Sequence, residues 1–273
     1  MSKPIIFIHG MFQNARSWEK WASFFSDRGY SCIAKSWPYH EGNPSELRIN
    51  PPEALGGLRL QTVINQYANI VAQHPDAILI GHSVGGLIVQ SLINRGYGSA
   101  GVCIASVAPN RMLTLDWSFF KNAAAIANPL KGDDPIFMTA TMFHQNFANT
   151  LSSESALIEY QRTAVHDSRY MLRDCLTEDG HIDLDKPHAP LLFISAELDQ
   201  IIPPHLNEKN AKAYSDKHSS VDYRKFDNRG HYICGEPGWE HVARYVANWI
   251  SSKVPALDFV QPPETTTPEV FIP

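Results

Sequence analysis

The residues best suited to chemistry in this chain centre on Ser83, in Gly81-His82-Ser83-Val84-Gly85. The pattern G-x-S-x-G is that of a nucleophile elbow, a serine on a sharp turn between a strand and a helix. Its surroundings fit. The apolar run Asp76-Ala77-Ile78-Leu79-Ile80 precedes it, and Gly86 to Arg95 follows as a helix that Gly96 stops. Glycines two residues either side of the serine let neighbouring backbone approach where a Cβ would intrude. Such a turn exposes Oγ and sets the first amides of the helix beside it, where they stabilise negative charge forming on a substrate oxygen. The bland alternative is a glycine-rich turn with a bystander serine, and the motif alone does not separate the two.

A serine hydroxyl is a weak nucleophile until a base takes its proton. A neutral histidine can do so near pH 7 and then pass the proton to the leaving group. A carboxylate holds the imidazole in the right tautomer and stabilises the imidazolium. In parallel α/β sheets functional groups collect at the carboxyl ends of strands. After the buried run Pro190-Leu191-Leu192-Phe193-Ile194-Ser195 come Glu197 and Asp199, and after Val221 to Phe226 come Asp227 and His231. His231, behind Gly230, is the candidate base. Asp199 is the candidate acid, with Glu197 or Asp227 as alternatives. Glu197 has little loop with which to reach a central histidine, and Asp227 is better placed to shape the loop before His231. A serine, a carboxylate and a histidine thus stand at three strand ends in the order Ser, Asp, His.

The elements that must position these groups are legible as an alternation. Pro4 to Ile8 reads as a strand ending in His9-Gly10-Met11-Phe12. Ser17 reads as the N-cap of a helix carrying Trp18, Trp21, Ala22 and Phe25, closed by Gly29. Cys32 to Trp37 is a second strand. Pro38 to Gly57, rich in Pro, Gly and Asn, reads as loop. Leu58 to Gln73 gives a helix face of Leu60, Val63, Ile64, Tyr67 and Val71. The elbow follows, then a buried strand from Ala100 to Val107. Alternating strands and helices indicate a parallel sheet covered on both faces. From Arg111 to Lys186 there are helical fragments rich in aromatics and Met (Trp117, Phe119, Phe120, Phe143 and Phe147 among them), and no convincing buried strand. The alternation then resumes, and Pro237 opens a last helix with Trp239, Val242, Val246, Trp249 and Ile250 on one face. The expected organisation is an α/β core of 1–110 and 187–252, a helical cap at 111–186, and a Pro- and Thr-rich tail at 253–273 that is extended or disordered, or drapes over a neighbouring molecule.

With 273 residues, 44% hydrophobic and 19% charged, the chain has the composition of a globular protein with a substantial core. A net charge of −5 and the lack of any Lys/Arg run longer than a pair speak against nucleic acid and anionic membranes as partners. No run is apolar over the length of a membrane span, and Lys3-Pro4 leads at once into a strand rather than a signal peptide. Cys32, Cys103, Cys175 and Cys234 are widely spaced without a Cys-x-x-Cys pair, the usage of a reduced, cytoplasmic protein. There is no His-Glu-x-x-His and no close His/Cys cluster, so no metal and no cofactor is expected. Gly81 to Gly86 lacks the Lys-Ser/Thr of a phosphate loop.

Over about residues 4–252 the chain resembles the α/β-hydrolase superfamily. The resemblance is carried by Phe7-Ile8-His9-Gly10, the elbow Gly81 to Gly85, Leu198-Asp199 before Ile202-Pro203, and Gly230-His231. It is nearest to the capped, esterase-like subgroup. It implies an α/β-hydrolase fold, mostly parallel sheet flanked by helices with an inserted helical cap, and a chain that begins at what is commonly the third strand. It implies Ser83 as nucleophile, Asp199 as acid, His231 as base, and the backbone N–H groups of Met11 and Val84 as oxyanion donors, with His9 anchoring the loop. The activity implied is cleavage of a carboxylic ester, thioester or lactone of a small molecule through an acyl-enzyme. Phe12, Phe143 and Phe147 are the candidate pocket residues. A non-hydrolytic enzyme of the same fold (lyase, perhydrolase or cofactor-free oxygenase), or a ligand-binding receptor with a retained pocket, is the alternative. A homodimer is left open.

Overall fold

A computed structural model describes residues 3–113 and 132–254. Six strands form one parallel sheet in the order β2-β1-β3-β4-β5-β6. They are β1 Ile5–Ile8, β2 Cys32–Ala34, β3 Ile78–His82, β4 Ala100–Ile104, β5 Leu191–Ala196 and β6 Val221–Phe226. β1, β3, β4 and β5 are buried along their whole length, which explains their near-continuous apolar sequence. Side chains still alternate between faces. Ile6, Ile8, Leu79, Leu191 and Phe193 join one core cluster, and Ile5, Phe7, Ile78, Ile80, Leu192 and Ile194 join the other. The first lies under α3 (Leu60–Ala72) and α4 (Val84–Asn94). The second lies under α1 (Glu19–Ser26) and the C-terminal helix Trp239–Lys253.

Three local readings are corrected. Pro38–Gly57 is not all loop: it contains α2 (Pro44–Ile49) and a 3₁₀ turn, Glu53–Gly57. Asn43 accepts from the Ser45 N–H and Pro44 opens α2, so the same Asn and Pro that look like loop composition are a cap and a first-turn residue. Ser17 is not the N-cap of α1. Asn14 caps a 3₁₀ turn, Ala15–Trp18, that runs into α1, and the Ser17 hydroxyl donates to the Asn14 carbonyl. The last helix starts at Trp239, after Gly238 at φ 84, rather than at Pro237.

Between β4 and β5, the described residues from 132 on form the helices Ser153–Thr163 and Arg169–Cys175, and a π-helical turn at Phe143–Phe147. The segment is tied to the loops at the strand ends. Val165 N–H donates to the Phe12 carbonyl at 3.0 Å and Tyr232 N–H to the Phe147 carbonyl at 2.9 Å. Asp174 takes two bonds from the Arg59 guanidinium, at 2.8 and 2.7 Å, and caps α3 through the Leu60 N–H at 3.0 Å. Trp117, Phe119, Phe120 and the tail beyond Val254 lie outside the described residues. No described helix is long and apolar enough to cross a membrane.

Candidate active site

β3 ends on His82, and Ser83 follows at φ 57, ψ −122 before α4 begins at Val84. Such a backbone costs a non-glycine residue about 1–3 kcal/mol and persists only where its surroundings fix it. Here they do. Ser83 N–H donates to the Ile104 carbonyl at 2.9 Å, and the Ser83 carbonyl takes the N–H groups of Gly86 at 2.9 Å and Val107 at 3.1 Å. The turn also needs glycine at its contacts. A Cβ on Gly85 would run into the carbonyl oxygens of Ile8 and His9, and one on Gly10 would stand 2.8 Å from the Ser83 Cβ. Gly10 therefore lets the loop after β1 close directly on the serine. Ser83 as a residue is only 6% exposed.

Asp199 lies just past β5 and His231 past β6. His231 Nδ1 is 2.8 Å from Asp199 Oδ2, and both side chains are buried. The other carboxylate oxygen, Oδ1, accepts from the Ile201 and Ile202 N–H groups at 2.8 and 2.9 Å. The alternative carboxylates are elsewhere. Glu197 accepts from the Asn228 N–H at 2.9 Å, and both Glu197 and Asp227 face Lys225 at the surface. With Nδ1 engaged, His231 Nε2 is buried and without a hydrogen-bond partner. A buried, unpaired ring nitrogen costs free energy unless something is to bind there.

His82 joins the serine turn to the histidine loop. Its Nε2 donates to the His231 carbonyl at 2.8 Å, and the two rings are 4.7 Å apart. Burial, and next the proximity of His231, push the His82 pKa down to about 3, so the link is a neutral imidazole. His9, read from sequence as a loop anchor, accepts the Trp37 N–H on Nε2 at 3.0 Å and meets the Gly10 carbonyl through Nδ1 at 2.8 Å.

The candidate pocket residues differ in placement. Phe147 stands edge-on to the His231 ring at 5.2 Å and to Phe12 at 5.8 Å. Phe143 is fully buried, stacked on Phe147 at 6.0 Å and edge-on to Tyr232 at 5.4 Å. Met11 and Phe12 follow Gly10 on the loop facing Ser83, and the Val84 N–H is an amide of the first turn of α4, which has no intrahelical acceptor. Among the described residues no group of three or more His, Cys, Asp or Glu is arranged to hold a metal ion. Two residues near this loop went unnoticed in sequence. His40 and Asp167 form a fully buried pair, with 3.4 Å between Nε2 and Oδ2. Neither lies in a motif, and they meet only through tertiary packing.

A strand-turn-helix serine, an acid past β5 and a histidine past β6 on one parallel sheet define a class of fold. The profile of the alpha/beta hydrolase family matches residues 5–247, and the chain belongs to that family. No curated protein matches by sequence. Among solved structures, the chain is similar to a monoacylglycerol lipase of Paleococcus ferrophilus, at 18% identity and TM-score 0.67, over 93% of this chain and 97% of that one. Tomato methylketone synthase I is similar at 14% identity and TM-score 0.68, over 93% and 99%. A methylesterase protein from Arabidopsis is similar at 12% identity and TM-score 0.65, over 91% and 98%. At these identities the likeness is one of fold.

Proposed function

We propose that the chain is a serine hydrolase that cleaves a carboxylic ester, thioester or lactone of a small molecule. The observation that carries this reading is the His231–Asp199 bond of 2.8 Å with a buried, unpartnered Nε2 on the other side of the same ring. In this reading the carboxylate keeps the His231 proton on Nδ1, which leaves Nε2 as a base. Nε2 takes the Ser83 proton as Oγ attacks the acyl carbon, and returns it to the leaving alcohol or thiol. The Met11 and Val84 N–H groups stabilise the oxyanion of the tetrahedral intermediate. Water, activated by the same histidine, then releases the acid and frees Ser83. Residues 111–186 act as the cap, and Phe12 and Phe147 offer an apolar wall to the substrate. Two of the similar structures are named as a monoacylglycerol lipase and a methylesterase, and ester cleavage is carried over to this chain on that likeness.

The test is fluorophosphonate labelling together with a panel of short p-nitrophenyl esters, comparing wild type with Ser83→Ala. Labelling and turnover that both vanish in Ser83→Ala are the expected result. A wild-type protein that neither labels nor turns over any ester would overturn the reading.

A further inference from the structure

The oxyanion donor assigned to Met11 is an amide, and an amide points where its peptide plane points. The Gly10 carbonyl belongs to the same peptide unit as the Met11 N–H. Because His9 Nε2 accepts from Trp37, its proton is on Nδ1, and His9 donates to the Gly10 oxygen at 2.8 Å. Burial, and next the proximity of His40, hold the His9 pKa well below that of a free imidazole, so this tautomer is a stable neutral one. That fixes one peptide plane.

The next plane is fixed from the far side of the chain. Phe12 N–H donates to Asp167 Oδ2 at 2.8 Å, across 155 residues of sequence. The Phe12 carbonyl takes the Val165 N–H at 3.0 Å. Phe12 sits at φ 62, left-handed backbone that costs an ordinary residue about 1–2 kcal/mol and needs outside restraint. Without the carboxylate, Phe12 relaxes toward right-handed or extended backbone and carries the Met11–Phe12 peptide with it. Asp167 is itself held: Oδ1 accepts the Ser168 N–H at 2.7 Å, and Oδ2 faces His40 Nε2 at 3.4 Å. His40 Nδ1 bonds the Pro38 carbonyl at 3.0 Å, so His40 offers Asp167 a second proton only as the imidazolium.

We propose that Asp167, backed by His40, is a positioning residue that holds the Met11–Phe12 peptide and so, through the Met11 Cα, keeps the Met11 amide, whose own plane His9 holds, aimed at the developing oxyanion. This rests on the hydrolase reading of the same site. Asp167 touches no reacting atom. It acts through Phe12, and so couples the segment between β4 and β5 to the transition state rather than to ground-state binding. Losing one oxyanion donor outright costs about 10²–10³-fold in kcat, and a misaimed donor loses part of that.

The experiment measures kcat, KM and inhibition by an aryl trifluoromethyl ketone, whose adduct with Ser83 carries an oxyanion, in wild type, Asp167→Asn and His40→Gln. Active sites are counted by complete fluorophosphonate titration, so misfolded protein does not enter the rate. Asp167→Asn is expected to lower kcat per titrated site roughly 10–100-fold with KM changed less than about threefold, and to weaken the ketone by a similar factor. His40→Gln, which keeps the carboxylate and the Phe12 bond, is expected to lower kcat by roughly 3–10-fold and stands as the test if Asp167→Asn does not fold. Fewer titratable sites with an unchanged kcat per site would overturn the inference and leave only a structural role. A wild-type protein without Ser83-dependent turnover would sink the hydrolase reading first and the inference with it.

Discussion

Replacing Asp199 by Asn tests the acid most directly, because the structure dictates which way the new amide must face. Asp199 Oδ1 accepts two backbone N–H groups, from Ile201 and Ile202. An asparagine that turned its NH₂ toward them would bury two donors against two donors, at about 1–3 kcal/mol for each group left unsatisfied. It therefore places its carbonyl there and presents NH₂ to His231 Nδ1, where the wild type has an acceptor at 2.8 Å. His231 must then accept at Nδ1 and carry its proton on Nε2, the tautomer that cannot take a proton from Ser83. In sites built on this logic the same swap lowers kcat about 10⁴-fold, which is about 5.4 kcal/mol of transition-state stabilisation. The assay is p-nitrophenyl ester hydrolysis near pH 7, normalised to titrated sites, with thermal unfolding run alongside. KM is expected to stay within about threefold, since the carboxylate does not touch substrate. A kcat within about tenfold of wild type, in protein that melts as the wild type does, would refute the tautomer argument and return Glu197 and Asp227 to consideration.

Two further outcomes follow from the same geometry. Ser83→Gly relieves a backbone at φ 57, ψ −122 and is expected to stabilise the fold by about 1 kcal/mol, seen as a rise in Tm of about 2–4 °C, while abolishing turnover; an unchanged or lowered Tm would show that the turn is not strained. The His40 pKa is pushed down by burial, but the nearby Asp167 carboxylate, with the Pro38 carbonyl and Glu41, more than reverses this and raises it. A raised folded pKa means stability present in full below the unfolded value and lost as pH climbs through the folded one. Urea unfolding of wild type should weaken over that window, and His40→Gln should lack that part of the pH dependence; two parallel curves would contradict it.

The sheet could be read from the chain because its central strands are apolar on both faces, and the elbow because a tight turn demands glycine at fixed offsets. The carboxylate was harder. Glu197, Asp199 and Asp227 all follow strands, and what singles out Asp199 is its 2.8 Å bond to His231, with a pair of backbone donors at 201 and 202 holding its other oxygen, contacts that no side-chain pattern reveals. Pro44 shows the opposite difficulty, since one residue type both breaks helices and begins them, and the Asn43 bond that decides between these is a structural fact. His40 and Asp167 carry no local signature at all. Their meaning lies in which backbone amide the carboxylate reaches, and that amide is 155 residues away.

The fastenings of the site also set an order in time. The His82 bond to the His231 carbonyl spans 149 residues, the Trp21 indole bond to the Cys234 carbonyl 213, and the Lys20 contact with Gly235 215. During synthesis the serine turn emerges early, with its neighbours β1 and β4, yet Asp199 and His231 arrive with the last third of the chain. Loops closed over such distances form late in folding. On the proposed reading, recovery of activity on refolding reports completion of the whole domain rather than of the half that contains Ser83.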